Sequence, residues 1–349
     1  MNKPELRMRR STITDVAKEA GVSIKTVSRV ARQEPNVTEK TRTKVRAAMD
    51  KLSYRPTMAA RSTVSSRSFL LGLIFDNPNP AYTLDLLRGA LGAAKDNGYH
   101  MIVEPVDGES DSLAGDIRDL IVQSNLEGLI VPPPLCDRDD ILAVLTEVGR
   151  PFSRIAPSMD LERGFSVEMD DEAAAFAMTE HLSNLGHKRI GFIKGRVGTA
   201  TTRKRLEGYC AAMEAIGQDV PDDWTVQGDF SLKSGLECGE RLLAMPKRPT
   251  AIFASNDEMA AGVLMAAHKA GLDVPQDLSV AGFDDSVTAT AMWPQLTTIR
   301  QPVSDMAARA ATCLINHQRG NEQGPGGGRV DLDFALIVRD STGPVPEAD

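Results

Sequence analysis

Aromatic residues make up only 5% of this 349-residue chain, cysteine occurs four times, and no charge-free apolar run suggests a membrane helix. A bilayer-spanning helix needs roughly 20 apolar residues in succession, so a membrane partner is not expected. Cys136, Cys210, Cys238 and Cys313 form no CxxC pair and no metal-type spacing. They read as small buried hydrophobes in a reducing compartment. The histidines, His100, His181, His187, His268 and His317, are too dispersed for a metal-ligand set. His187 reads as a helix-to-strand turn residue. There is no GxxxxGK(S/T) loop, no HExxH and no GxSxG elbow, and the pairs Asp170-Asp171 and Asp284-Asp285 are of the kind that caps a following helix. The expectation is a protein without catalytic residues, metal or cofactor. Residues 1–10 are polar, with no apolar stretch of a secretory signal, and predict a cytoplasmic protein.

What is present is an uneven distribution of charge. Residues 1–67 carry 16 Lys and Arg against 6 Asp and Glu, a net of +10, while residues 68–349 carry 24 against 42, a net of −18. A small basic block joined to a large acidic one has two electrostatic jobs, and the basic block has the footprint of a nucleic-acid reader. From Thr12 to Leu52 three short amphipathic faces predict three helices, and Pro56 ends the third. The small, polar and basic stretch 57–68 reads as a linker.

Beyond Ser68 the texture alternates. Apolar runs at 69–75, 99–103, 128–131, 189–193, 251–254 and 279–283 read as buried strands, with Val226 in a further one. Between them lie helical patterns at 82–97, 110–124, 138–148, 172–185, 203–216 and 258–270. A helix at 306–317 and a final strand at 330–338 follow. Such alternation implies parallel sheets covered on both faces, and about 270 residues of it exceeds one open sheet, so two doubly wound α/β lobes are expected, divided near 165–170.

Within the basic block, TDVAKEAGVSIKTVSRV (14–30) places Ala17, Gly21 and Val27 where a helix-turn-helix needs a small contact residue, a turn residue tolerant of positive φ, and a buried branched side chain. Ser23 is then the N-cap of the second helix. Ile24, Lys25, Thr26, Ser28 and Arg29 fall on or near its outer face, as base and phosphate contacts in a major groove would.

TITDVAKEAGVSIKTVSRV (12–30), YRPTMAARS (54–62), RPTAIFA (248–254), SNDEMAAGV (255–263) and SVAGFDDS (279–286) together resemble the lactose-repressor and galactose-repressor family of bacterial transcription regulators over nearly the whole chain. The resemblance implies a helix-turn-helix headpiece at 11–56, a hinge at 57–68, and an effector-binding and dimerisation core at 69–349 built like a periplasmic sugar-binding protein. Lobe 1 would hold about 69–168 and 300–329, and lobe 2 about 169–299 and 330–349. It further implies a homodimer on a pseudo-palindromic double-stranded operator, and the tail 341–349 has no leucine heptads for a tetramerising coil. Carried across, the DNA-contacting positions are Thr12, Ser23, Ile24, Lys25, Thr26, Ser28, Arg29, Arg32, Ala60, Arg61 and Thr63. Arg32 stands where the family often has asparagine. Thr63 replaces one of the leucines that wedge into a base step, so a smaller DNA bend is expected.

Two lobes leave a cleft at the C-terminal ends of their strands, where a polar ligand can be gripped from both sides. Tyr82, Arg205, Phe230, Asn256 and Asp284 lie at predicted strand ends or in the helices that follow. Each has a plainer reading: Asp284 and Asn256 could cap helices, Tyr82 and Phe230 could be core, and Arg205 a surface charge. The resemblance implies that all five, with Thr201, line the effector cleft. Thr83 and Thr199 stand where the purine-repressor branch uses an aromatic and an arginine, which favours a carbohydrate over a purine. Ala156 departs from the aspartate of one sugar repressor. A ligand-responsive regulator, a repressor by resemblance, is therefore expected. The alternative is a soluble carbohydrate-binding or carbohydrate-modifying protein with a basic appendage.

Overall fold

The computed structural model describes residues 11–31, 36–54, 67–77, 79–321 and 328–346. The chain divides into two units, 1–69 and 70–349. In the first, α1 (Ile13–Ala20), α2 (Ile24–Ala31) and α3 (Glu39–Lys51) surround Val16, Ala20, Val27, Val30 and Val45, with Tyr54 closing the cluster. Thr12 starts α1 through a capping box: its hydroxyl accepts from the Asp15 N–H, and the Asp15 carboxylate accepts from the Thr12 N–H. Gly21 ends α1 with φ +59°, which is why the turn takes glycine.

The second unit contains two parallel sheets. The first has the order β11-β5-β4-β3-β1-β2 and is built from β1 (Leu70–Phe75), β2 (His100–Pro105), β3 (Gly128–Val131), β4 (Phe152–Ile155), β5 (Phe165–Glu168) and β11 (Arg329–Asp331). The second has the order β7-β6-β8-β9 and contains β6 (Ile190–Lys194), β7 (Thr225–Gln227), β8 (Ala251–Ala254) and β9 (Ser279–Ala281). β10 (Thr298–Arg300) and β12 (Ala335–Ile337) form an antiparallel pair.

The helices α4 (Pro80–Asp96), α5 (Leu113–Gln123) and α6 (Asp139–Val148) belong to the first lobe. The second lobe has α7 (Asp171–Asn184), α8 (Ala200–Ala215), α9 (Leu232–Leu243), α10 (Asp257–Lys269) and α11 (Val287–Ala291). The last helix, α12 (Val303–Gln318), returns to pack on α4 and on β4 and β5. Each lobe has its own apolar core, one around Ile74, Ile117, Leu129 and Leu142, the other around Ile193, Ile252, Val263 and Val280. Among the described residues no helix is long and apolar enough to cross a membrane.

Three departures from the sequence pattern have physical causes. β4 and β5 go unread there because Arg154 and Glu168 interrupt their apolar texture. Arg154 is fully buried, its guanidinium donating to the carbonyls of Cys136, Met159 and Asp160 and paired with Asp137 at 2.6 Å. α9 carries two glycines, and Gly235 lies so close to α10 that a Cβ would sit 2.3 Å from the Met259 carbonyl oxygen. The single strand expected at 330–338 is two strands: β11 extends the first lobe's sheet beside β5, and only β12 pairs with β10. The expected return to lobe 2 at residue 330 therefore moves beyond Asp331.

The tail 341–345 is fastened to the second lobe by two histidines. His187, fully buried between α7 and β6, places Nε2 3.0 Å from the Gly343 carbonyl and Nδ1 2.9 Å from the Thr250 hydroxyl, while His181 Nε2 lies 3.1 Å from the Thr342 hydroxyl. A carbonyl only accepts, so Nε2 of His187 carries the proton and Nδ1 accepts from Thr250. Burial holds both imidazoles below the usual histidine range. At these two sites the unfolded chain therefore binds protons first as pH falls through about 6.5, and their contribution to folding stability is lost below that value. His187→Gln should make the melting temperature of this unit less sensitive to acid below about pH 6.5 than that of the wild type; an unchanged difference between the melting temperatures at neutral and acid pH would refute the assignment.

Candidate functional site

Between the two sheets, at the C-terminal ends of their strands, lies a cleft of about 620 Å³ including its open mouth. β1 leads into Asp76, Asn77 and Asn79, β4 into Ala156, β6 into Arg196 and the start of α8, and β8 into Asn256, all of which line it. Crossover connections of parallel sheets leave their loops at this end, so residues far apart in sequence converge here.

All six residues expected at the cleft line it: Tyr82, Thr201, Arg205, Phe230, Asn256 and Asp284. Their environments differ. Arg205 is 4% exposed, with Nε 2.8 Å from Asp171, Nη1 2.6 Å from the Ser255 carbonyl, and its guanidinium 3.6 Å from the centre of the Phe283 ring. It is a built-in cation with a fixed plane, far from the plain surface charge that was open at the sequence level. Asn256 does cap α10: Oδ1 accepts from the Met259 N–H at 3.0 Å, and Nδ2 donates to the Phe230 carbonyl at 3.0 Å. Its amide is thus committed to holding Phe230, whose backbone has φ +72° and whose ring lies against Gly195, where a Cβ would meet it at 2.0 Å.

Asp284, also at positive φ (+126°), receives Gln301 Nε2 at 2.5 Å and Asn79 Nδ2 at 3.3 Å. Backbone conformations this unusual persist where surrounding bonds over-determine them, and they cluster at ligand sites. Burial first, and then the neighbouring Asp257 and Asp171 carboxylates, push the Asp284 carboxyl well up from its ordinary value. Burial likewise pushes Asp257 up to about 7, against hydrogen bonds from Thr298 and Ser286 that lower it. The Tyr82 phenol is pushed up by burial and by nearby acidic groups, which keeps it a hydrogen-bond donor.

Asn79, Gln301, Asp76 and Arg196 were not read from the sequence. Asn79 was legible as an N-cap: it precedes Pro80, and its Oδ1 accepts from the N–H groups of Ala81 and Tyr82. Gln301 follows a three-residue strand and has no local signal. Thr199, singled out against a purine, lines the cleft, as does Ala156.

In the helical unit, Ser23 accepts from the Thr26 N–H at 3.1 Å, as an N-cap does. Ile24 is 48% exposed and Lys25 is exposed, whereas Thr26, Ser28 and Arg29 are half-buried on the same short helix. An exposed isoleucine beside a lysine at a helix N-terminus offers an apolar surface for a thymine methyl and a cation for phosphate or guanine. Thr12 is engaged in the capping box of α1. Arg32, Ala60, Arg61 and Thr63 lie outside the described residues.

Residues 12–57 match the family model "Bacterial regulatory proteins, lacI family", and residues 179–342 match "Periplasmic binding protein-like domain". Over 332 residues the chain is 33% identical to catabolite control protein A of Priestia megaterium, spanning 95% of this chain and 99% of that protein. It is 36% identical over 315 residues to the ribose operon repressor of Escherichia coli (strain K12), spanning 88% and 92%. The solved lac repressor dimer bound to operator and the anti-inducer ONPF aligns with a TM-score of 0.79 at 29% identity, over 96% of this chain and 100% of that one. These relatives are regulators and not enzymes. The helix-turn-helix, the two-lobed core and the extent of these matches together make this chain a member of the lacI family, a DNA-binding, ligand-responsive transcriptional regulator.

Proposed function

We propose that this protein is a cytoplasmic repressor that binds a pseudo-palindromic operator as a homodimer and takes a sugar or sugar-derived effector in its interlobe cleft. The observation that carries the effector class is the pairing of one aromatic face, Phe230, with a ring of hydroxyl-competent groups, Asp284, Tyr82 and Thr201 among them, around the same space. A sugar presents an apolar C–H side and several adjacent hydroxyls, which this combination suits. Thr199 in place of an arginine removes a group suited to a purine carbonyl. Relatives of this protein include ribose operon repressors.

Dimerisation is supported by Leu84 and Leu91, which are 47% and 42% exposed two turns apart on α4, an apolar stripe that a second copy would cover. The DNA contacts proposed are Ile24, Lys25, Thr26, Ser28 and Arg29, with Thr12, Ser23, Arg32 and the hinge residues Ala60, Arg61 and Thr63. The effector would act by favouring one closure state of the lobes and so altering operator affinity.

Selection of genomic fragments on the full-length protein, with and without candidate sugars, tests this reading. Recovery of one short palindrome whose retention changes with a sugar is expected. A featureless pool would remove the specific-operator reading, and a palindrome indifferent to every sugar would remove the carbohydrate one.

A further inference from the structure

Among the described residues lining the cleft, the only cations are Arg196 and Arg205, and both are already occupied by carboxylates. Arg205 is paired with Asp171 at 2.8 Å, and both side chains are at least 95% buried. Arg196, from the second lobe, reaches across the cleft: Nη1 lies 3.3 Å from Asp76 and Nη2 3.1 Å from Glu109, both from the first lobe. Asp76 is itself held close, since a Cβ on Gly108 would come within 2.3 Å of its Oδ2. Asp284, the remaining acidic group on the wall, is contacted by the side-chain amides of Asn79 and Gln301, with Asp257 and Asp171 behind it.

The lining therefore offers an incoming anion no cation that is not already neutralised. It offers instead a carboxyl group in surroundings that disfavour negative charge. The influences that push Asp284 up, burial and neighbouring carboxylates, oppose a phosphate or a second carboxylate in the same space. A hydroxyl meets no such penalty: it donates to an Asp284 carboxyl oxygen in either protonation state and accepts from Tyr82 or an amide.

We propose that the cleft takes an uncharged polyol and rejects phosphorylated or carboxylated sugars, and that Asp76 and Glu109 enforce this rejection by holding Arg196. This inference rests on the carbohydrate reading above and deepens it. Glu109, outside the lining, acts as a specificity determinant through Arg196, and Asp76 acts through Arg196 from within the lining.

The test is equilibrium dialysis of the full-length protein against a defined mixture, with bound compounds identified by mass spectrometry. The mixture holds ribose with ribose 5-phosphate, glucose with glucose 6-phosphate and gluconate, and cellobiose with cellobionate. Retention of a neutral member over its anionic counterpart by about 100-fold is expected, the scale of placing like charges together. In the Asp76→Asn/Glu109→Gln variant, Arg196 is released and that preference should narrow at least about tenfold. The single Glu109→Gln, at a side chain 84% exposed, should shift it in the same direction without perturbing the fold. A sugar phosphate or sugar acid held as tightly as its neutral partner would overturn the exclusion. An unchanged preference in both variants would overturn the role of the two carboxylates. Retention of none of the compounds would instead overturn the carbohydrate reading itself.

Discussion

Arg205→Ala is expected to lower the stability of the two-lobed unit by about 3–5 kcal/mol, the cost of leaving one member of a buried ion pair alone. The guanidinium pairs with Asp171 at 2.8 Å, and it also satisfies the Ser255 carbonyl and covers the Phe283 ring. Without it, the buried Asp171 carboxylate loses its paired guanidinium while Asp284 stays within its electrostatic reach, so the loss exceeds that of the contacts themselves. For a unit of this size the melting temperature should fall by about 10 °C. Adding Asp171→Asn should recover part of the loss, because it removes the stranded charge. Calorimetry of the single and double variants checks this, and an Arg205→Ala melting temperature within a degree of wild type would show that the pair is not held as the geometry indicates.

Val27→Asp is expected to abolish specific DNA binding while leaving the two-lobed unit intact. Val27 is fully buried at the meeting of α1, α2 and α3, in a cluster of small residues. A domain this small has only about 3–5 kcal/mol of stability, and a buried unpaired carboxylate costs several. The headpiece should unfold and affinity for a selected operator should fall by roughly 10³ or more, to the non-specific level. Because residues 70–349 form a separate unit, their thermal transition should stay in place. Gel retardation with parallel circular dichroism melts reads both outcomes; retained operator binding would mean that α2 is not positioned by this core.

Much of the fold was legible because it is written in local patterns. The spacing of Ala17, Gly21 and Val27 encodes the helix pair through the size of one contact residue, the φ of one turn and the burial of one side chain, all decided within a dozen positions. Apolar runs such as 70–75 and 251–254 announce parallel strands because a strand covered on both faces has no polar side to show. Asp284 and Phe230 could be placed at strand ends for the same reason. β4 escaped notice because Arg154 contradicts that texture, and its burial is possible only because Asp137 and three carbonyls from other segments meet its guanidinium. Arg205 was ambiguous by itself: nothing within its own helix shows that Asp171, 34 residues earlier, will neutralise it.

The sequence alone determined the division of labour in this protein. A net of +10 in the first 67 residues and −18 in the rest separates a DNA reader from an acidic sensor, and helical and strand periodicities set the class of each. What only the tertiary structure decided is the electrostatic state of the cleft. Asp76 and Arg196 are 120 residues apart, and Asn79 and Asp284 are 205 apart. Their pairing depends on two lobes being brought face to face by chain crossings. A charge tells from sequence that it needs a partner or water; which of the two it finds depends on what the fold delivers to within about 4 Å of it.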